Sequence, residues 1–209
     1  YTYYIPTTLT EQITNDFYDD LDPAYVDLEN KKGIVFRSNR VDELLRNKEA
    51  DTNRVGKDFD LFFYNMDDRK QSLVRVTNNP DADEMMPQQM DDKYFSFLSD
   101  ENGIYNRYAA YFEDEFLKSD TVVFFQDSVV RNPKFDFLSQ TDIIDSVRLR
   151  PVYKTTTFSV PISNKPFNVQ EQDISPSGKI VELIEKDHLD YFVEQDVPAE
   201  MALAQENQL

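Results

Sequence analysis

Carboxylates are the residues in this sequence best supplied to do chemistry. Asp16, Asp19, Asp20 and Asp22 fall in one short stretch, and Asp81, Asp83 and Glu84 in another. Clusters of this kind suit a hard cation such as calcium, or acid–base work by a carboxylate pair. Yet an acid recurs three residues before a proline at Asp20, Glu84 and Asp173. A repeated structural role explains that better, so no metal is expected at either cluster. His188 is the single histidine, in Lys186-Asp187-His188-Leu189-Asp190, so multi-histidine zinc motifs are impossible and a surface or turn role is expected. There is no cysteine, which removes disulfides, thiolate ligands and thiol catalysis. Gly33, Gly56, Gly103 and Gly178 are too scattered for a dinucleotide fingerprint, and neither Gly56-Lys57 nor Gly178-Lys179 completes a phosphate loop. No Gly-x-Ser-x-Gly elbow occurs. The expectation is a chain with no catalytic residue, no cofactor and no metal.

The elements that would position these residues must be read next. The chain has 209 residues, enough for one domain with a sizeable core or two small ones. Its formal charge of −18 repels phosphate backbones and anionic lipid surfaces, so nucleic acid is not an expected partner. Aromatic content of 13% argues for a folded chain despite a mean hydropathy of −0.63. Apolar runs such as Val122-Val123-Phe124-Phe125 fall far short of a membrane span, and no basic segment followed by an apolar leader is visible.

Three segments share a pattern. They begin at Ile13-Thr14-Asn15, Val76-Thr77-Asn78 and Ile162-Ser163-Asn164. Each continues to an acid and a proline: Asp20 and Pro23, Glu84 and Pro87, Asp173 and Pro176. An apolar strand follows, at Gly33–Phe36, Tyr94–Leu98 and Lys179–Ile184. Thr and Asn are turn formers that bond nearby backbone, the acid can accept N–H groups, and proline starts a strand without needing a donor. Further strands are expected at Asp58–Met66, Ile104–Tyr108 and Leu189–Val193, joined by turns at Asp67–Lys70, Ser99–Gly103 and Glu185–Asp187. Short connections between successive strands give antiparallel four-stranded units. Both intervals between repeat starts exceed the roughly 40–45 residues of a propeller blade, so insertions are required.

Two insertions account for the excess. Residues 41–57 are polar with a short helical stripe at Val41, Leu44 and Leu45, and residues 113–150 are mixed and acidic. The resulting division is 1–112 for the first two units, 113–150 for the insertion, 151–197 for a third, degenerate unit, and 198–209 for a short helical tail. The first twelve residues read as strands of a preceding unit. Aromatic clusters at Phe62-Phe63-Tyr64, Tyr105, Tyr108 and Tyr111-Phe112 suit packing between sheets, or alternatively a sugar-stacking surface.

Thr-Asn, then Asp-x-x-Pro, then an apolar strand ending in Ser-Asn-Arg or Ser-Asp-x-x-Gly resembles the TolB-type, WD-like β-propeller repeat of bacterial envelope proteins. Asp19–Pro23 with Phe36–Arg40, and Phe97–Gly103, are similar to large propeller proteins of Bacteroidetes-type bacteria. The resemblance covers about 13–112 well and 152–193 loosely. It implies an all-β, partial propeller of about three blades in a periplasmic or outer-membrane-associated protein. The resemblance does not imply one activity; the function expected here is a non-catalytic interaction scaffold whose partners are further blades of a larger chain or envelope proteins in an assembly. The alternatives are the propeller portion of a larger serine peptidase, or a carbohydrate-binding surface protein.

Overall fold

The computed structural model describes residues 1–29, 31–45, 55–67, 72–125, 128–134, 144–175, 177–186 and 189–196. Every regular element among them is a β-strand, and the strands pair in antiparallel sheets. The chain forms two compact units, one from 1–112 with 157–209 and one from 113–156.

In the larger unit a hairpin of β1 (Thr2–Tyr4) and β2 (Leu9–Glu11) precedes three sheets. The first sheet is the meander β3 (Asp20–Leu28), β4 (Lys31–Ser38), β5 (Asp60–Asn65) and β6 (Val74–Arg75). The second contains β7 (Glu84–Gln89), β8 (Phe95–Ser99) and the first part of β9 (Asn106–Phe125); β9 runs on into the smaller unit, and β10 (Ser128–Arg131) and β11 (Ser146–Pro161) pair with it. The third is β12 (Val169–Ile174), β13 (Lys179–Lys186) and β14 (Leu189–Asp196). Strands expected at 33–38, 58–66, 179–184 and 189–193 all lie within these elements or overlap them.

Leu61-Phe62-Phe63 is buried on both faces because the first sheet is covered on both. Val35, Leu61 and Phe63 pack against Phe95, Phe97 and Tyr108 of the second sheet, while Phe36 and Phe62 turn the other way, onto Leu45, Leu73 and Ile13. The second sheet is covered likewise. Its opposite face offers Leu98 to Val169 and Ile184, and Ala109 to Ile162 and Ile180 of the third sheet. The leading strands are stitched in the same order. Gln89 on β7 bonds the backbone of Asp27 on β3 at both its N–H and C=O, each at 2.9 Å. Gln172 on β12 donates to the Met86 carbonyl at 2.7 Å, and Gln88 donates to the Gln172 carbonyl at 2.9 Å.

β3 and β7 share an irregularity. Asp22 and Met86, each just before a proline, have φ of 49° and 53°, and each lies in a register shift within its ladder. Proline has no N–H for the ladder, so the bulge absorbs the residues around it. The two bulges touch, since the Met86 N–H donates to Asp22 Oδ2 at 3.3 Å.

Three expectations are corrected. The stripe at Val41, Leu44 and Leu45 is not helical; Leu44 forms a bridge with Ser72, and Leu45 packs under Phe36 and Phe62. Asp173 does not hold the place of Asp20 and Glu84. Those begin the first strands of their hairpins, opposite Ser38 and Ser99, whereas Asp173 nears the end of β12, opposite Val181. Pro176, His188 and the tail 198–209 lie outside the described residues, as does part of the turn expected at 67–70. Residues 151–161, expected in the third unit, belong to β11 and pair with β9.

In the smaller unit, 113–125 of β9, β10 and 146–156 of β11 form an antiparallel ribbon. Asp145 N–H donates to the Phe124 carbonyl at 2.9 Å, Thr155 Oγ1 donates to Asp114 Oδ1 at 2.9 Å, and Phe116 meets Tyr153 edge to face. Val122 and Val123 are buried, but Phe116, Leu117, Val129, Val147, Leu149 and Tyr153 are all exposed.

Candidate functional site

The polar residues singled out by the repeat converge at the joint between the first and second sheets. β6 ends at Arg75, and the chain must leave one sheet and enter the next. Leu61 on β5 anchors the exit: its carbonyl accepts from Val76 N–H at 2.8 Å, and its N–H donates to Thr77 Oγ1 at 2.8 Å. Thr77 Oγ1 donates in turn to Glu84 Oε2 at 2.8 Å. Glu84 Oε1 accepts from Asn79 Nδ2 and Ser99 Oγ, both at 3.1 Å. Asp60 closes the network through Asn79 N–H at 3.3 Å and an ion pair with Arg75. Glu84 is fully buried, and that burial pushes its carboxyl up to about 7 against the opposing pull of Thr77, Asn79 and Ser99. Asn78, the residue expected to take part, is exposed; Asn79 reaches the carboxylate instead.

The same joint is built again between the second and third sheets. Arg107 takes the place of Leu61: its carbonyl accepts from Ile162 N–H at 2.9 Å and its N–H donates to Ser163 Oγ at 2.7 Å. Asn106 stands for Asp60, accepting from Ser163 Oγ at 3.1 Å and Lys165 N–H at 2.6 Å. Phe59 N–H donates to Asp83 Oδ1 and Tyr105 N–H to Asn168 Oδ1, each at 2.8 Å. Glu84 N–H donates to the Phe59 carbonyl at 2.8 Å, and Val169 N–H to the Tyr105 carbonyl at 3.0 Å. Val169, not Asp173, is therefore the counterpart of Glu84. Its strand partner Ile184 replaces Ser99, so the polar pair becomes an apolar one.

A second buried charge set sits beside this joint. Arg107 and Glu182, both fully buried, form an ion pair, with Lys165 also paired to Glu182. Arg107 Nε donates to Gln172 Oε1 at 2.8 Å. No local signal marks this set, because its members come from distant strands. Only β13, with Glu182 between Ile180 and Ile184 on the inward face, hints at it.

At the first sheet Asp20 receives Arg40 Nη2 on both oxygens, at 2.7 and 2.9 Å, and Arg40 Nε donates to Ser38 Oγ at 3.1 Å. Arg40 is fully buried beneath the rings of Tyr18, Phe36 and Phe62. Asp16 lies 3.5 Å from the same guanidinium; burial raises its carboxyl above the usual range, and Arg40 opposes that rise. Asp19 meets Asn39, and Asp22 meets Arg37 at 3.0 Å. Asp16 and Asp20 thus share Arg40, while Asp19 and Asp22 turn to Asn39 and Arg37. Thr14 and Pro23 line a cavity of about 320 Å³ with Ile13, Tyr18, Phe36 and Tyr64, and Asn15 N–H donates to the Leu45 carbonyl at 3.4 Å. Pro87 is buried in its bulge.

The aromatic clusters do not form one exposed platform. Phe62, Phe63 and Tyr108 are buried, Phe112 packs on Phe63 and Phe95, and Tyr111 stacks on Phe158. No protein-family model, curated protein or solved structure matches the chain. The chemistry of the assembled residues is that of holding sheets in register: donors and acceptors are spent on one another.

Proposed function

We propose that this chain is a β-propeller-type segment acting as a non-catalytic protein-interaction scaffold of a bacterial cell envelope. The observation that carries the reading is the recurrence of one joint: Leu61 with Thr77 and Arg107 with Ser163 turn the chain from one antiparallel meander into the next by the same hydrogen bonds. Joints that share one backbone pattern propagate similar steps, which is how repeat proteins extend. Setting 113–156 aside brings the second interval close to a blade of roughly 40–45 residues. A stack built this way leaves its two outer faces in need of cover. Phe192 is 78% exposed on the third sheet, beside Val181, and Tyr3 and Ile5 are exposed on the leading hairpin. Apolar groups so placed suit further sheets of the same kind. The envelope location follows from the resemblance of the repeat.

The test is photo-cross-linking in the natural gene product. A benzophenone side chain at Phe192 is expected to trap strands of an adjoining sheet, and one at Leu149 to trap a partner protein. Trapping of neither, together with peptide or ester turnover by the chain, would overturn the reading.

A further inference from the structure

The strand β11 carries a charge pattern at odds with the rest of the chain. Acids outnumber bases 40 to 22 overall, yet Ser146–Thr156 holds no Asp or Glu and has Arg148, Arg150 and Lys154. All three are exposed, and none has a carboxylate partner among the described residues. The one contact found for them is Arg148 over the Phe124 ring at 5.5 Å. By contrast Lys118 in the same unit pairs with Asp120 at 3.2 Å. The alternate side chains Val147, Leu149 and Tyr153 are exposed as well, Leu149 at 72%. Among the described residues β11 pairs with β9 alone, so its other edge presents unpaired backbone groups.

We propose that the free edge of β11 over 146–156 is a strand-addition site for an extended acidic segment of a partner protein. Its carboxylates would meet Arg148, Arg150 and Lys154, and its alternate apolar residues would extend the stripe of Val147, Leu149 and Tyr153. Charge selects this occupant. A second β11 would set cations against cations, whereas an acidic strand meets Arg148, Arg150 and Lys154 with opposite charge. Pro151 removes one donor from the strand, and together with the cations it blunts unselective pairing. The proposal rests on the interaction-scaffold reading and names the partner's chemistry at one surface.

The test uses the full chain and a fluorescein-labelled nonapeptide of alternating Glu and Val, followed by anisotropy. Saturable binding that weakens with salt is expected, with at least a tenfold loss in Arg148→Glu/Arg150→Glu/Lys154→Glu. A smaller loss is expected in Arg150→Gln, a single exposed change that leaves the fold intact. A Lys/Val peptide should not bind, and N-methylation of alternate peptide residues should abolish binding by removing the added-strand hydrogen bonds. No binding, binding unchanged by charge reversal, or equal binding of the N-methylated peptide would each overturn the proposal. So would concentration-dependent dimerisation lost in the triple variant, which would assign the edge to a second copy. Failure here would leave the Phe192 cross-link, which tests the stacked-sheet reading, unaffected.

Discussion

Glu84 holds its proton about as tightly as neutral water demands, and this makes stability depend on pH in an unusual direction. Its carboxyl rises from an ordinary 4.5 to about 7 on folding, chiefly through burial. Between those values the folded chain keeps a proton that the unfolded chain has released, so this group's contribution falls as pH rises through the window and the penalty is complete above about 7. The size is on the order of 3 kcal/mol, at about 1.4 kcal/mol per pKa unit. Glu84→Gln removes the charge and still accepts from Asn79 and Ser99, so urea unfolding at pH 5 and pH 8 should show a flatter pH dependence than the parent. Unchanged pH dependence would mean that Glu84 is not the source. Arg107→Met should destabilise the chain in urea unfolding, because Glu182 then keeps Lys165 alone of its two cations. The two sites differ in how far the sequence revealed them. Thr77 and Glu84 stand out because a turn former followed by an acid three residues before a proline recurs along the chain. Asn79 was hidden behind its neighbour Asn78, and Arg107 with Glu182 joins strands too distant for any spacing to reveal.

Among the elements, bulged first strands and the ribbon matter most. Asp20 and Pro23 with Glu84 and Pro87 are visible in the sequence because acid and proline bracket the bulge. The third sheet offers no such mark, because Val169 and Ile184 do with apolar contact what Glu84 and Ser99 do with hydrogen bonds. The next Asp and Pro downstream, Asp173 and Pro176, drew the register to the wrong end of β12. The stripe at Val41, Leu44 and Leu45 misled for a different reason: a few apolar residues fit a bridge and a sheet cap as well as a helical turn. β4 and β5 approach closely at Gly33, where a Cβ would overlap the Tyr64 carbonyl oxygen and the Phe63 ring. Gly33→Ala should therefore destabilise by about 1–3 kcal/mol in chemical unfolding; a loss under a few tenths would show that the strands can part freely. Replacing 113–156 by a short hairpin turn should leave the larger unit folded, because the two units are separately compact. Loss of cooperative melting in that variant would show that the ribbon is needed for the core.

At the scale of the whole molecule, the first two sheets are covered on both faces, the leading strands are stitched by Gln89, Gln88 and Gln172, and one joint pattern is used twice. The all-β class was legible from strand-length apolar runs and frequent turn residues. The order of sheet packing was not, because it depends on which face of each strand meets its neighbour. The exposed apolar groups at Phe192 and Val181 on one side and at Tyr3 and Ile5 on the leading hairpin give a solution-level expectation. Phe192→Ser should reduce aggregation of the isolated chain in static light scattering, and an unchanged aggregation rate would place the sticky surface elsewhere. The central claim, that joints sharing one backbone pattern produce similar steps, is tested most directly by a crystal structure of the chain. The quantity to measure is the rotation carrying the first sheet onto the second, set beside the rotation carrying the second onto the third. The account predicts rotations of the same sense and similar size about one shared axis, with Thr77 superposing on Ser163 and Glu84 on Val169. Rotations of opposite sense, or sheets related by simple face-to-face stacking without a common axis, would contradict it.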